Sequence, residues 1–201
     1  EIHPGVPNAY YEQGVVKGEE TGPLLEKAAY TVELTTYNSR QPHLHLEPDC
    51  GLAYVDDEGT LTIQSKSIGL HLHHAMICPG IGVEPEKLRL IQNPAGGTFG
   101  YKFSPTMEGL LGVACLAVDG RPVSLVYDQY QNITYTGKRS PAEIKAKWGA
   151  DKDGKLIALD YEWWVDHGPY SEFGDLLTLR QAQFMGAGYS VPNIRAKGHT
   201  V

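Results

Sequence analysis

The sequence predicts an α+β fold, with β-hairpins and a mixed sheet packed with helices, and three observations lead there. Two turns rich in Asp and Gly, Asp56-Asp57-Glu58-Gly59 and Asp151-Lys152-Asp153-Gly154, each separate runs suited to pairing as a hairpin. Between them a short apolar run passes through the glycine-rich stretch Asn93–Phe103, NPAGGTFGYKF, into a helical stripe. The chain's 201 residues, 41% hydrophobic and 20% charged, are enough to bury a core and have ordinary globular composition. Strands that pair in hairpins as well as across helices favour one mixed α/β unit over a clean doubly wound sheet.

Residues 1–22, rich in Pro, Gly and Glu, carry no sustained period and read as an irregular lead-in to a domain over residues 23–201. Ala28–Tyr37 combines β-branched and aromatic residues with partial alternation, which suits a half-buried strand. Leu52–Val55 and Leu61–Ile63 form the first hairpin. Ser67 is placed to cap a helix running from Ile68 towards Cys78, with Pro79-Gly80 as its stop. Leu88–Ile91 is the strand that enters the glycine turn, and Pro105 lies in the first turn of the helix that leaves it. That helix carries the stripe Met107, Leu110, Leu111, Ala114 and Leu116 as far as Asp119-Gly120. Val123–Tyr127 reads as a strand, Ala142–Trp148 and Leu156–Val165 as the second hairpin, and Phe173–Met185 as the last helix. Pro192 to Arg195 reads as the start of a further strand. The two hairpins do not match well enough to indicate an internal repeat.

Charge and cysteine usage exclude several classes. The net charge is -7 with both signs interspersed, so no basic stripe suited to nucleic acid is present. No run of eighteen apolar residues reads as a membrane segment, and the first residues have no signal-peptide pattern. Cys50, Cys78 and Cys115 are widely spaced and lack a CxxC pair, which argues for small thiols in a reducing, cytoplasmic setting rather than a disulfide framework or cluster ligands. The chain has no initiator Met and ends just after an incipient strand, which marks it as a piece truncated at both ends.

Several segments are candidates for chemistry. In Gly96-Gly97-Thr98-Phe99-Gly100, backbone amides can converge on an anion or an electron-rich oxygen, helped by the dipole of the following helix. The spacing fits neither the dinucleotide fingerprint nor the phosphate loop, so a turn with no ligand remains an equal reading. Gln41, His43, His45 and Glu47 alternate as one face of a strand would. A single strand presents ligands in a row, however, so a hydrogen-bonded polar edge is favoured over a metal site. His71, His73 and His74 fan over more than one helix face and read as helix surface. Trp163, Trp164 and Val165 read as core before a turn at Asp166-His167-Gly168, and no GxSxG elbow supports a hydrolase.

In order along the chain stand QPHLHLEPD, SKSIGLHLH, NPAGGTFGYKFSPTMEGL, GRPV, TGKRSPAEI and VDHGPYSEFGDLLTLRQAQFMGAGYSVPNIR. Together they resemble the first molybdenum-cofactor-binding domain of the xanthine oxidase family of molybdenum hydroxylases, and within it the bacterial aldehyde oxidoreductases. The resemblance covers nearly the whole chain and implies a molybdenum–pyranopterin cofactor, of the cytosine dinucleotide form usual in bacteria. In this family the protein does not ligate the metal directly. Gln41 would hydrogen-bond an oxygen ligand of molybdenum, and the turn of Gly97, Thr98, Phe99 and Gly100 would hold the cofactor, with the Phe99 and Gly100 amides meeting the metal's ligands. The implied reaction oxidises an aldehyde to a carboxylic acid, with water as oxygen source and electrons passing to 2Fe-2S clusters in other domains.

Phe103 stands where purine-oxidising members carry an acidic residue, and with Phe173 and Leu176 it would line an apolar channel for a small aldehyde substrate. The family's catalytic GxGE glutamate, its AFRGxG loop and its cluster cysteines have no counterpart here. The general base is therefore expected downstream, no catalytic residue is assigned, and this chain alone is expected to be inactive. Implied partners are the remaining domains of the same enzyme and a redox protein such as a flavodoxin or ferredoxin. Alternatives are a purine or N-heterocycle hydroxylase of the same family, and a non-catalytic module that binds a ligand or partner domain through the glycine turn.

Overall fold

The computed structural model describes residues 4–5, 7–168 and 173–201. Its contacts divide the chain into two compact units, Glu1–Gln41 with Ser140–Val201, and Pro42–Arg139, where the sequence pointed to one. Each unit has its own sheet and its own apolar cluster, and strand patterns do not reveal which strands share a sheet.

The first unit is a five-stranded sheet built from β1 (Tyr11–Lys17), β2 (Tyr30–Asn38), β7 (Ala142–Ala150), β8 (Leu156–Val165) and β9 (Asn193–Thr200), in the order β1-β9-β8-β7-β2. The expected second hairpin is present: β7 and β8 pair antiparallel from Ala142 opposite Val165. Its turn closes because the Asp151 carboxylate accepts the Asp153 and Lys155 amides while Gly154 takes a φ of +81°. From β8 the chain crosses through α5 (Gly174–Gln183) into β9, parallel to β8, which makes the sheet mixed. Residues 169–172 of the VDHGPYSEF block lie outside the described residues.

The lead-in is not irregular. Tyr11–Lys17 forms edge strand β1, antiparallel to β9, and Thr21–Lys27 forms the short helix α1. Both have weak local signals: β1 is interrupted by Gly14 and mostly exposed, and α1 contains Pro23. A first-turn proline is tolerated because that amide has no intrahelical partner anyway. Trp163, fully buried, centres the core with Leu159 and Ile194, and Gly198 makes room for its indole. At the other edge, all nine residues of β2 are exposed, including Tyr30, Val32, Leu34 and Tyr37.

The second unit contains β3 (Cys50–Val55), β4 (Leu61–Ser65), β5 (Leu88–Gln92) and β6 (Val123–Val126), ordered β5-β4-β3-β6. The first hairpin, β3–β4, forms as expected, and α2 (Leu70–Ile81) carries the chain from β4 to the parallel strand β5. Ser67 does not cap α2, whose N-cap is Gly69, because its hydroxyl is engaged by His73. Nor does Pro79 stop it. The helix runs on to Ile81 and ends at Gly82 in the left-handed region, since Ala75, the residue whose carbonyl loses a donor to proline, is on the exposed side. Helix α3 (Thr106–Ala117) packs Met107, Leu111 and Cys115 onto Ala53 and Ile63 of the sheet. A short helix α4 (Gln129–Tyr135), not anticipated, starts with a capping box in which Asp128 and Gln131 exchange side-chain and backbone hydrogen bonds.

Candidate functional site

The glycine turn joins β5 to α3. Gly97 has φ +102°, Phe99 φ +48° and Gly100 φ +98°. A positive φ at a bulky residue such as Phe99 is uncommon and persists only where the surroundings impose it. Among the described residues, the amides of Gly97, Thr98, Phe99 and Gly100 donate to no acceptor, and Phe99 and Gly100 are exposed. This leaves a row of N–H donors without acceptors among the described residues. The sequence predicts help from the dipole of the following helix, but a single 3-10 turn at Tyr101–Phe103 intervenes and α3 begins only at Thr106.

Hydrogen bonds and an ion pair fix the base of the turn. Glu47 receives the Gly96 amide on its carboxylate at 3.0 Å and donates its own amide to the Gly96 carbonyl at 3.2 Å. The same carboxylate pairs with the fully buried Lys102. A Cβ added at Gly96 or Gly97 would meet Glu47 or His45 at 2.6 or 3.1 Å, so glycine lets the two segments touch. Burial pushes the Glu47 carboxyl up, but hydrogen bonds from Lys102 and the Gly96 amide outweigh it, and the pKa is lowered.

The segment that carries Glu47 is not the alternating strand expected from the sequence. Residues 42–45 have no regular structure and Leu44 has φ +50°. His43 and His45 both lie against the Tyr101 ring, at centroid distances of 5.8 and 5.7 Å. His45 Nδ1 faces the Glu47 carbonyl at 2.6 Å and so carries the proton, because a carbonyl can only accept.

Below the turn sits a cluster of buried charges that sequence reasoning missed. Asp49, Lys66 and Glu108 are all at most 1% exposed, with Lys66 Nζ at 3.9 Å from each carboxylate. Asp49 accepts the Tyr101 hydroxyl at 2.8 Å, and Glu108 accepts the Ser65 hydroxyl at 2.7 Å. Burial, reinforced by the Asp49 charge, pushes the Tyr101 hydroxyl well above its ordinary range and keeps it a donor. Glu108 was a legible signal, as a carboxylate between Met107 and Leu111 on the apolar stripe of α3.

Each residue leaving the turn is thereby held from inside. The Tyr101 hydroxyl is bound by Asp49, the Lys102 ammonium by Glu47, and the Ser104 carbonyl by Lys66 Nζ at 3.1 Å. The Phe103 carbonyl is bound by His73 Nε2 at 2.5 Å. His73 is thus not helix surface, as its pattern suggested, but fully buried, with Nδ1 at 2.5 Å from the Ser67 hydroxyl. A lone polar residue turned inward on an otherwise exposed helix start leaves no periodic trace.

Of the residues singled out from the sequence, the second unit brings together Gly97, Thr98, Phe99, Gly100 and Phe103, the last 44% exposed as a residue. Gln41, Phe173 and Leu176 belong to the first unit. Gln41 is exposed, with no side-chain hydrogen bond among the described residues, while Phe173 and Leu176 stand at the start of α5. Among the described residues no group of three or more His, Cys, Asp or Glu side chains could hold a metal ion. No described helix is long and apolar enough to cross a membrane.

Comparison with known proteins shows the family. The family described as molybdopterin cofactor-binding domain matches residues 2–201. The aldehyde oxidoreductase of Megalodesulfovibrio gigas is 61% identical over all 201 residues, and the large molybdopterin subunit of nicotinate dehydrogenase from Eubacterium barkeri is 31% identical over 164 residues. These alignments take in 100% and 82% of this chain, but only 22% and 38% of the relatives. The solved aldehyde oxidoreductase from Desulfovibrio gigas superposes with a TM-score of 0.89 over 100% of this chain and 22% of its own, at 61% identity. Quinoline 2-oxidoreductase from Pseudomonas putida 86, at 18% identity and a TM-score of 0.78, shares the fold over 98% of this chain and 25% of its own. The chain therefore belongs to the molybdopterin cofactor-binding domains of the xanthine oxidase family of molybdenum hydroxylases.

Proposed function

We propose that this chain forms one wall of the active site of a molybdenum hydroxylase that oxidises aldehydes to carboxylic acids, with water as oxygen source. The observation that carries the reading is the row of amides from Gly97 to Gly100 that have no acceptor among the described residues, on a turn anchored at its base through Gly96 and Glu47. Such donors suit electron-rich oxygen or sulfur ligands, and neither the cofactor nor the metal needs a side-chain ligand from this wall. The open space around a Cβ at Gly100 leaves room for close approach. The residues present therefore fit a molybdenum–pyranopterin group, which supplies the two-electron redox chemistry when bound.

In this reading the Phe99 and Gly100 amides orient the metal's ligands, Gly97 and Thr98 shape the turn, and the Gln41 amide donates to an oxygen ligand. Phe103, Phe173 and Leu176 give the substrate path an apolar character that selects small, weakly polar aldehydes over purines. The general base and the 2Fe-2S clusters belong to other parts of the longer protein, as in the resemblance, and the pterin carries a cytosine dinucleotide. The setting is cytoplasmic, and a flavodoxin or ferredoxin takes the electrons.

The experiment is an assay of the full-length protein with aldehydes beside xanthine and hypoxanthine. The reading expects turnover of aldehydes alone, impaired by Phe103→Glu. It also expects lowered turnover with folding intact in Gln41→Ala. Turnover of purines in preference to aldehydes would overturn it.

A further inference from the structure

Phe103 is held in a way that a channel side chain does not need for packing alone. Its carbonyl accepts from His73 Nε2, so that nitrogen carries the proton. In the neutral ring, Nδ1 then accepts the Ser67 hydroxyl, which fixes both tautomer and ring orientation. The two groups form a buried relay from the segment between β4 and α2 to the backbone of the 3-10 turn. The Phe103 ring lies beside the same spot, since a Cβ built at Gly69 would stand 3.5 Å from its Cδ1 and 3.4 Å from His73 Nε2. His73 thus meets the Phe103 backbone through its carbonyl, and a shift of that carbonyl re-aims the ring it carries.

We propose that His73, oriented by Ser67, is a positioning residue that sets how far the Phe103 ring reaches into the substrate path, and so fixes the bulk of the aldehyde accepted. The inference rests on the reading of Phe103 as a channel residue. His73 touches neither substrate nor cofactor in this account and acts only through the turn. A buried histidine with both ring nitrogens engaged defines the carbonyl position more narrowly than apolar packing would. The Phe103 and Ser104 amides close the same turn, onto Gly100 and Tyr101, so loosening the carbonyl loosens the whole 3-10 segment.

The test uses the full-length, cofactor-loaded protein, with wild-type turnover of acetaldehyde, butyraldehyde and benzaldehyde measured first. Absence of any aldehyde turnover in the wild type would defeat the proposed function and the size selection that rests on it, whereas normal wild-type turnover with unchanged exchange in His73→Leu would defeat this inference alone. The second readout is hydrogen–deuterium exchange of the amides of residues 101–104. His73→Leu is expected to speed that exchange and to change the ratio of kcat/KM for benzaldehyde to acetaldehyde by about tenfold, with bound molybdenum unchanged. His73→Gln, which restores a donor to the carbonyl, is expected to recover most of both, and Ser67→Ala to fall between. Combining His73→Leu with Phe103→Ala is expected to change the ratio no further than Phe103→Ala alone. Equal loss on all three aldehydes, additive effects in the double variant, or unchanged exchange in His73→Leu would overturn the proposal. If His73→Leu fails to fold, Ser67→Ala and His73→Gln decide by the same two readouts.

Discussion

Replacing Lys66 by Met tests the buried base of the glycine turn. Lys66 lies between two carboxylates that are fully buried, at 3.9 Å from each. At an effective dielectric of about 20, each contact is worth up to about 4 kcal/mol of Coulomb energy, and desolvation offsets much of it. What the substitution adds is the cost of leaving Asp49 and Glu108 without a cation. Asp49 Oδ1 and Glu108 Oε2 already lack hydrogen-bond partners among the described residues, so neither can find relief nearby. Breaking such a buried cluster costs roughly 3–5 kcal/mol, a large share of the stability of an ordinary domain. With a urea slope of roughly 2–3 kcal/mol per molar for a chain this long, the unfolding midpoint of the 201-residue chain should fall by roughly 1–2.5 M. Adding Glu108→Gln should restore roughly half of the loss by removing one uncompensated charge. The assay is urea unfolding followed by far-ultraviolet circular dichroism. A midpoint change below about 0.5 M in Lys66→Met, or a double variant weaker than the single one, would refute the reasoning.

Three further outcomes are expected. Gly198→Ala would drive a Cβ to 2.1 Å from the Trp163 ring, so it should destabilise the first unit by at least about 3 kcal/mol, read as a lowered melting temperature and altered tryptophan fluorescence. The lowered pKa of Glu47 means that its contribution is fully present above the ordinary carboxylate value of 4.5 and is lost as pH falls through its folded value. Exchange at the Gly96 amide should therefore accelerate relative to its intrinsic rate only on acidification below that point, and Glu47→Gln should abolish the change. The exposed edge strand β2 should make the isolated chain self-associate, and Val32→Lys with Leu34→Lys should return it to monomer in analytical ultracentrifugation.

What the sequence disclosed follows from the range of the forces involved. The two hairpins were legible because an Asp-rich turn with a late glycine specifies its own hydrogen bonds within a few residues, as Asp151 does for Asp153 and Lys155. Helix α4 carries a local signal of the same kind, the capping-box spacing Asp128-Gln129-Tyr130-Gln131, but its seven residues are too few to show an apolar period. Strand β1 could not be read, since an edge strand with Gly14 at its centre gains its order from pairing with β9, far along the chain. The same holds below the glycine turn. Glu108 alone showed itself, by its place on an apolar stripe, whereas Asp49, Lys66 and His73 look like surface residues until the fold joins them, because buried polar groups are stabilised by partners distant in sequence. The turn itself was visible as a cluster of glycines, but its free amides depend on the positive φ of Phe99, which no composition rule anticipates.

The proposed role of the Phe99 and Gly100 amides, meeting the ligands of a bound molybdenum centre, is open to a crystal structure of the full-length, cofactor-loaded protein. An oxygen or sulfur ligand of the metal is expected within hydrogen-bonding distance, about 2.7–3.2 Å for oxygen, of at least one of these two nitrogens. A cofactor bound with both amides more than about 4 Å from any of its acceptor atoms would contradict it.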